Sequence, residues 1–331
     1  MPTDHPAILA DLRARFLTAL RATATTQEPR GLYEPIDYIL DLGGKRVRPV
    51  VALLAGRMFG DEDLSRSMPA ALAVEVFHNF TLLHDDIMDD SPLRRGKQTV
   101  HEKWDVNTGI LSGDLMLIQA YRHLCDCPNK EALPDLLGTF NRVATGVCEG
   151  QQYDVDFERR DDVTIAEYQK MIELKTAVLL GGSLELGALA AGASREDADH
   201  LYAFGRLTGL AFQLQDDLLD TYGSSADTGK LQGNDIIRNK KTFLFLKAVE
   251  LLGMDGRAEL NRWFAESPED PAAKVVRVTE MMTSVGIPEE VAKLRDGFQA
   301  EAYAHLDAVN GDREYKDVLR TLAESLLRRV S

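Results

Sequence analysis

The stretch "PAALAVEVFHNFTLLHDDIMDD", residues 69–90, carries apolar side chains at helical spacing and then ends in four aspartates within six positions. The apolar recurrence predicts a helix buried over most of its surface. On such a helix Asp85 and Asp89 lie on one face, a turn apart, with Asp86 a little further round. Like charges at this spacing oppose helix formation, and a helix C-terminus is the wrong end for them. A solvated acidic face would need no further partner, but the apolar run upstream places these carboxylates at the end of a core helix. A hard divalent cation such as Mg²⁺, shared with a phosphorylated ligand, is the natural compensation. The missing glycine and the ligand spacing exclude an EF-hand loop.

The pattern repeats. "GLAFQLQDDLLDTYG", residues 209–223, again ends an apolar helical run in a DDxxD array, Asp216, Asp217 and Asp220. Two such helices facing each other would hold Mg²⁺ ions between their carboxylates and leave coordination positions open for a diphosphate.

Outward from these two helices the period stays helical, as in "YEPIDYILDLGG", "GILSGDLMLIQAYRHL" and "EYQKMIELKTAVLLGGSLELGAL". Alternating β-branched runs bounded by tight turns are scarce, so a substantial sheet is not expected. Glycine- and proline-bearing punctuation at "LGGKRVRP", "SPLRRGKQT", "CDCPNKEALP", "AAGASRED" and "TYGSSADTGK" predicts the helix ends. The N-terminal thirty residues read as a helix and a loose connection, and Ser267 to Pro271 as a surface loop. No long biased linker or internal repeat divides the 331 residues. The expectation is an all-α protein, a single domain over 1–331 built as a helical bundle of about ten or more helices.

An apolar fraction of 44% and a charged fraction of 27% are those of a globular protein. A net charge of −15 argues against nucleic acid or an anionic membrane as main partner, while local basic clusters can still hold a small anion because exposed charges are screened beyond about 8 Å. No secretory signal is legible, and "AVLLGGSLELGALAAGA", interrupted by Glu185, reads as too short for a membrane span. Cys125, Cys127 and Cys148 form neither a disulfide framework nor a zinc-finger pattern. A reduced, cytoplasmic compartment is expected.

The two aspartate motifs, with "LGGKRVRP" before the first, "LRRGKQT" after it, "LKTA" midway and "GKLQGNDIIRNKKTFL" after the second, together resemble the trans-isoprenyl diphosphate synthases, or polyprenyl synthetases. The resemblance implies the isoprenoid synthase fold, with helices around a central substrate cavity. The implied reaction condenses isopentenyl diphosphate with dimethylallyl, geranyl or farnesyl diphosphate and releases pyrophosphate.

The resemblance assigns Mg²⁺, three ions per site, to Asp85, Asp89 and Asp216 directly, with Asp86, Asp217 and Asp220 assisting. It implies that Arg94, Lys175, Lys230 and Lys240 grip the allylic diphosphate. Gly44, Lys45, Arg48, His78 and Arg95 would hold isopentenyl diphosphate. Lys175, Thr176 and Gln213 are the implied catalytic residues, Thr176 and Gln213 together with backbone carbonyls from the helix around Lys175 stabilising the allylic cation by oxygen dipoles, and the departing pyrophosphate would remove the proton, which accounts for the lack of a dedicated general base. The family is usually homodimeric. Asp90, where relatives often carry other residues, reads as an accessory charge; Asn234 stands where a second glycine is more frequent, and Arg328 and Arg329 are basic residues near the terminus.

Chain length is expected to be set along the first aspartate helix. Phe80 lies about 7.5 Å and Phe77 about 12 Å below Asp85 along the axis, and Phe80 followed by Thr81 resembles short-chain synthases of the farnesyl (C15) or geranylgeranyl (C20) type. The rival readings are a non-catalytic subunit of a heteromeric prenyl synthase, which typically loses one aspartate motif, a class I terpene cyclase, which carries a different second metal motif, and an acidic helical interaction protein.

Overall fold

A computed structural model of the chain describes residues 4–23, 27–223, 233–265 and 271–328. Within them the helices are α1 His5–Thr23, α2 Arg30–Asp41, α3 Val47–Met58, α4 Met68–Met88, α5 Val100–Lys103, α6 Val106–Cys125, α7 Leu133–Glu158, α8 Ile165–Ile172, α9 Val178–Ala191, α10 Arg195–Tyr222, α11 Asn234–Ile237, α12 Phe243–Leu251, α13 Met254–Ala265, α14 Pro271–Ser284, α15 Ile287–Ala308 and α16 Arg313–Leu327. A π-helical turn, Glu173–Ala177, joins α8 to α9. Sheet structure among the described residues is confined to one hairpin, β1 Leu93–Arg94 against β2 Lys97–Gln98. The all-α expectation therefore holds. Of the predicted loop from Ser267 to Pro271, residues 267–270 lie outside the described residues, while Pro271 begins α14.

The chain clusters into two compact units. The first comprises Met1–Asn141, Gly182–Tyr202 and Val309–Leu319, the second Arg142–Gly181, Ala203–Ala308 and Arg320–Ser331. In the first, α4 packs along α6 and against α3. Helix α4 buries residues on almost every side, from Ala70 through Leu83, as its near-continuous apolar sequence requires. Its one buried charge above the aspartates, Glu75, pairs with buried Arg46, and Asn79 donates to Glu75 at 3.0 Å. The second unit centres on α12, packed against α8, α13, α14 and α15, around a core that includes Tyr168, Leu210, Leu214, Phe243 and Leu260.

Two helix ends depart from the sequence reading. Helix α4 stops at Met88, with Asp89 as its C-cap and Asp90 in the left-handed region at φ 49°. The fourth aspartate thus leaves the helix, where its charge would oppose the macrodipole most directly. The apolar run around Glu185 is longer than its sequence suggests, because the π turn carries the helix on from α8. The resulting stretch, Ile165–Ala191, has the length and composition of a membrane span, yet 89% of its apolar window is buried inside the fold, as in a core helix. Glu185 is fully buried and satisfied there by Thr139 at 2.7 Å and Arg195 at 2.7 Å.

Candidate active site

The predicted site residues fall into two groups, one in each unit. In the first unit the Gly43–Gly44 turn, with φ of 81° and 125°, breaks the chain between α2 and α3. Arg46 caps α3 at φ 53° and reaches into the core to pair with Glu75 and with the Leu40 carbonyl. That anchor fixes the loop carrying Lys45. In the first turn of α3, Arg48 stands 3.3 Å from the ring nitrogen Nε2 of His78 on α4.

The β1–β2 hairpin brings two more guanidinium groups. Arg95 and Gly96 occupy its turn with φ of 53° and 75°, both positive, as a two-residue hairpin loop demands. Arg95 donates to the Gly43 carbonyl and lies so close over Gly44 that a Cβ there would meet its guanidinium at 2.8 Å. Only glycine fits that contact. Arg94, one residue back, donates from Nε to Asp86 at 2.7 Å and stands 3.6 Å from Asp85.

Charge is concentrated accordingly. The ring of His78 is held well below its ordinary pKa by burial and by Arg48, Arg95, Arg94 and Arg46 around it. Burial pushes Asp86 above the usual carboxylate range, with Arg94 opposing and Asp85 adding to the shift. This cluster of cations around a neutral imidazole suits a diphosphate.

In the second unit, Asp216, Asp217 and Asp220 lie near the end of α10. Asp217 accepts from the Tyr168 hydroxyl and, at 2.9 Å, from Gln213 Nε2. It is pushed up to about 7 by burial and by nearby Asp235, against the pull of both hydrogen bonds. Asp220 accepts at 2.9 Å from the backbone N–H of Asp235. Thr176 donates to Gln213 Oε1 at 3.4 Å, and Lys175 pairs with Asp154 at 2.6 Å.

Lys175 and Thr176 both sit in the π turn, where the Val178 N–H bonds five residues back to Glu173; such turns are rare and frequent at functional sites. Gly150 on α7 makes room for it, since a Cβ there would lie 2.2 Å from the Lys175 nitrogen. Lys240 is half-exposed, 4.0 Å from Asp235. Lys230 lies outside the described residues.

The structure thus brings Gly44, Arg48, His78, Arg94 and Arg95 together with Asp85 and Asp86, and separately Lys175, Thr176, Gln213 and the second aspartate motif. Arg328, just past the end of α16, pairs with Glu324 of that helix at 3.0 Å, and Arg329 is outside the described residues. The three cysteines are free thiols. Sequence reasoning missed Glu75, Asp154, Tyr168 and Asp235, each of which touches a predicted site residue or faces it electrostatically. It also missed Phe140. Phe77 is 1% exposed and packs edge-on against Phe140 at 5.2 Å, Phe80 is 9% exposed and packs on Phe77 at 5.6 Å, and Tyr121 closes the row against Phe140 at 4.9 Å.

The carboxylates suit a hard divalent cation by an observation independent of any family. Two of them, Asp86 and Asp217, are buried and destabilised as anions, and the donor set of both motifs is entirely oxygen.

Residues 29–282 match the family described as Polyprenyl synthetase. A geranylfarnesyl diphosphate synthase from Natronomonas pharaonis is 36% identical over 96% of this chain and 93% of its own. A geranylgeranyl diphosphate synthase from Methanosarcina mazei is 37% identical over 91% of this chain and 90% of its own. Among solved structures, a geranylgeranyl pyrophosphate synthase superposes with a TM-score of 0.91 at 45% identity, each chain covered completely.

Proposed function

Since this chain belongs to the polyprenyl synthetase family, we propose that it elongates allylic diphosphates with isopentenyl diphosphate as far as the C20 product, geranylgeranyl diphosphate. It is a short-chain trans-prenyltransferase with the isoprenoid synthase fold. The observation that carries the substrate reading is the gathering of Arg48, Arg94 and Arg95 about His78, whose imidazole is held well below its ordinary pKa by burial and these cations, with Arg48 3.3 Å from its Nε2.

Gly44, Lys45, Arg48, His78 and Arg95 hold isopentenyl diphosphate. The Arg95 fork is preset by its tie to the Gly43 carbonyl, so little side-chain freedom is lost when the anion arrives. Arg94, Lys175, Lys230 and Lys240 hold the allylic diphosphate. Arg94 now rests on Asp86 and Lys175 on Asp154; each exchanges a carboxylate for a phosphate oxygen. Asp85, Asp86, Asp89, Asp216, Asp217 and Asp220 would hold Mg²⁺, three ions by family resemblance. When bound, the ions neutralise the diphosphate leaving group as charge develops on it.

The C1–O bond of the allylic diphosphate breaks with its electron pair going to pyrophosphate, the isopentenyl double bond attacks C1, and a proton passes to the departing pyrophosphate. Thr176 and Gln213 direct oxygen dipoles at the positive charge between these events. Gln213 is oriented for this by donating to Asp217 while its oxygen accepts from Thr176. The row Phe80, Phe77, Phe140 and Tyr121 is an apolar floor for the growing tail, with Phe80 uppermost and followed by Thr81. The names of the relatives support a C20 product over C15.

The enzyme works in the cytoplasm as a homodimer, for which Val106, Ile110, Leu111 and Ile118, all substantially exposed on α6, supply apolar surface. Separate Asp85→Asn and Asp216→Asn variants test the two-motif reading by radiolabelled isopentenyl incorporation. Each is expected to lose at least 100-fold in turnover, on the order expected when an electrostatic group acting at the transition state is lost. Near-normal turnover in either variant would remove that motif from the reaction.

A further inference from the structure

Asp90 is the aspartate that the prenyl-transfer reading leaves over. It stands beyond the helix end at φ 49°, and its carboxylate converges with His101 and Glu102 on the short helix α5. One ligand atom from each lies within 4.8 Å of the others. The intervening segment is tied back on itself: Thr99 donates from Oγ1 to the Ser91 carbonyl at 2.8 Å and from its N–H to the Pro92 carbonyl at 3.1 Å. The convergence is therefore built by the hairpin, not by chance meeting of two loose side chains.

The second observation is the imidazole itself. His101 is 9% exposed, and neither of its ring nitrogens has a hydrogen-bond partner among the described residues. Its neighbour Glu102 is 3.8 Å from Nε2, beyond hydrogen-bond reach. A buried imidazole normally satisfies at least one nitrogen with protein or water, and one that satisfies neither, beside two carboxylates, has the lone pair and the neighbours a metal takes up.

We propose that Asp90, His101 and Glu102 form an accessory site for a borderline divalent transition metal, with Zn²⁺ the best fit. One nitrogen and two carboxylate oxygens match Zn²⁺, Mn²⁺ or Co²⁺ and not the all-oxygen preference of Mg²⁺. Ligand atoms about 2.1 Å from Zn²⁺ stand ~3.4 Å apart in a tetrahedron, so the site closes by modest rotation of Asp90 and Glu102, which are exposed, onto a fixed His101. Three protein ligands leave a coordination position for water.

The consequence is mechanical. The ligands bracket residues 91–100, so the ion staples the end of α4 to α5 across the base of the hairpin that carries Arg94 and Arg95. Occupancy would restrict that hairpin, coupling a transition metal to the diphosphate-binding arginines. The site rests on its own geometry and stands whether or not the C20 assignment does.

The test is equilibrium binding of Zn²⁺ alone to the full chain in excess Mg²⁺, which fills the carboxylate motifs, with anomalous scattering at the zinc edge to locate the ion. One Zn²⁺ per chain on His101 is expected. His101→Ala should weaken it at least tenfold. Glu102→Gln, at an exposed position that leaves the core untouched, should weaken it comparably, and Asp85→Asn should leave it unchanged. Equal affinity in His101→Ala and Glu102→Gln to that of the unaltered chain, or zinc density only at Asp85, Asp89 or Asp216, would overturn the proposal.

Discussion

The guanidinium of Arg94 rests on the carboxylate of Asp86, Nε to Oδ2 at 2.7 Å. The pair joins a predicted diphosphate ligand to a predicted metal ligand, and under the proposed function each would hold the other until substrate and cation arrive. Arg94→Gln removes a charge-assisted contact worth about 1.5–3 kcal/mol. The KM for the allylic diphosphate should rise roughly 10- to 100-fold while the KM for isopentenyl diphosphate changes little. Steady-state kinetics with each substrate varied in turn separates the two.

Gly44 and Arg95 give the complementary prediction. Gly44→Ala places a Cβ 2.8 Å from the Arg95 guanidinium at a φ of 125°, a conformation nearly closed to side chains. Arg95 must shift. The KM for isopentenyl diphosphate should rise at least tenfold with the allylic KM nearly unchanged, the reverse of the Arg94 result.

How much of this was legible in the sequence differs by kind. The helical class and the two aspartate helices were readable because periodicity and repetition are local signals, and the pairing of motifs excluded the commoner acidic-face reading. The contact of Arg95 with Gly44 spans residues far apart in sequence and depends on a positive-φ hairpin turn that "RRGK" does not advertise. The partners of the site, Glu75, Tyr168 and Asp154, are single polar residues in ordinary helices, and only burial reveals why each is there. The π turn at "ELKTA" has no composition of its own, and the close approach of α7 that Gly150 permits there is visible only in the fold. Asp90 reads in the sequence as an accessory charge of the first motif, and in the structure it stands past the helix end at φ 49°, where a fourth carboxylate no longer opposes the macrodipole from within the helix.

Phe80 and Phe77 should separate product length from stability. Phe80→Ala opens the upper end of the aromatic row and should lengthen the major product by one or more C5 units, read by chromatography of the dephosphorylated alcohols. Phe77 is fully buried against Phe140, and Phe77→Ala should chiefly destabilise, by about 3–5 kcal/mol in urea unfolding. An unchanged product distribution in Phe80→Ala would remove Phe80 as the chain-length stop.

His78 supplies a pH dependence. Its folded pKa lies well below 6.5, while in the unfolded chain it returns to about 6.5. As pH falls, the unfolded chain takes up the proton first. The stability contributed by neutral His78 is therefore complete above about pH 6.5 and drains away below it. In His78→Gln the fall in stability between about pH 6.5 and 5 should be shallower by roughly one proton, measured as urea-derived unfolding free energy across that range. A parallel curve in wild type and variant would show that His78 titrates normally.

The central claim is that this chain, by itself, elongates allylic diphosphates. Purified protein incubated with isopentenyl diphosphate and, separately, dimethylallyl, geranyl or farnesyl diphosphate, with Mg²⁺ or with excess chelator, tests it most directly. Mg²⁺-dependent accumulation of geranylgeranyl diphosphate is expected from all three primers, and none with chelator. Folded protein that elongates no primer would contradict autonomous synthase activity, and a largest product of C15 or C25 would contradict the C20 assignment.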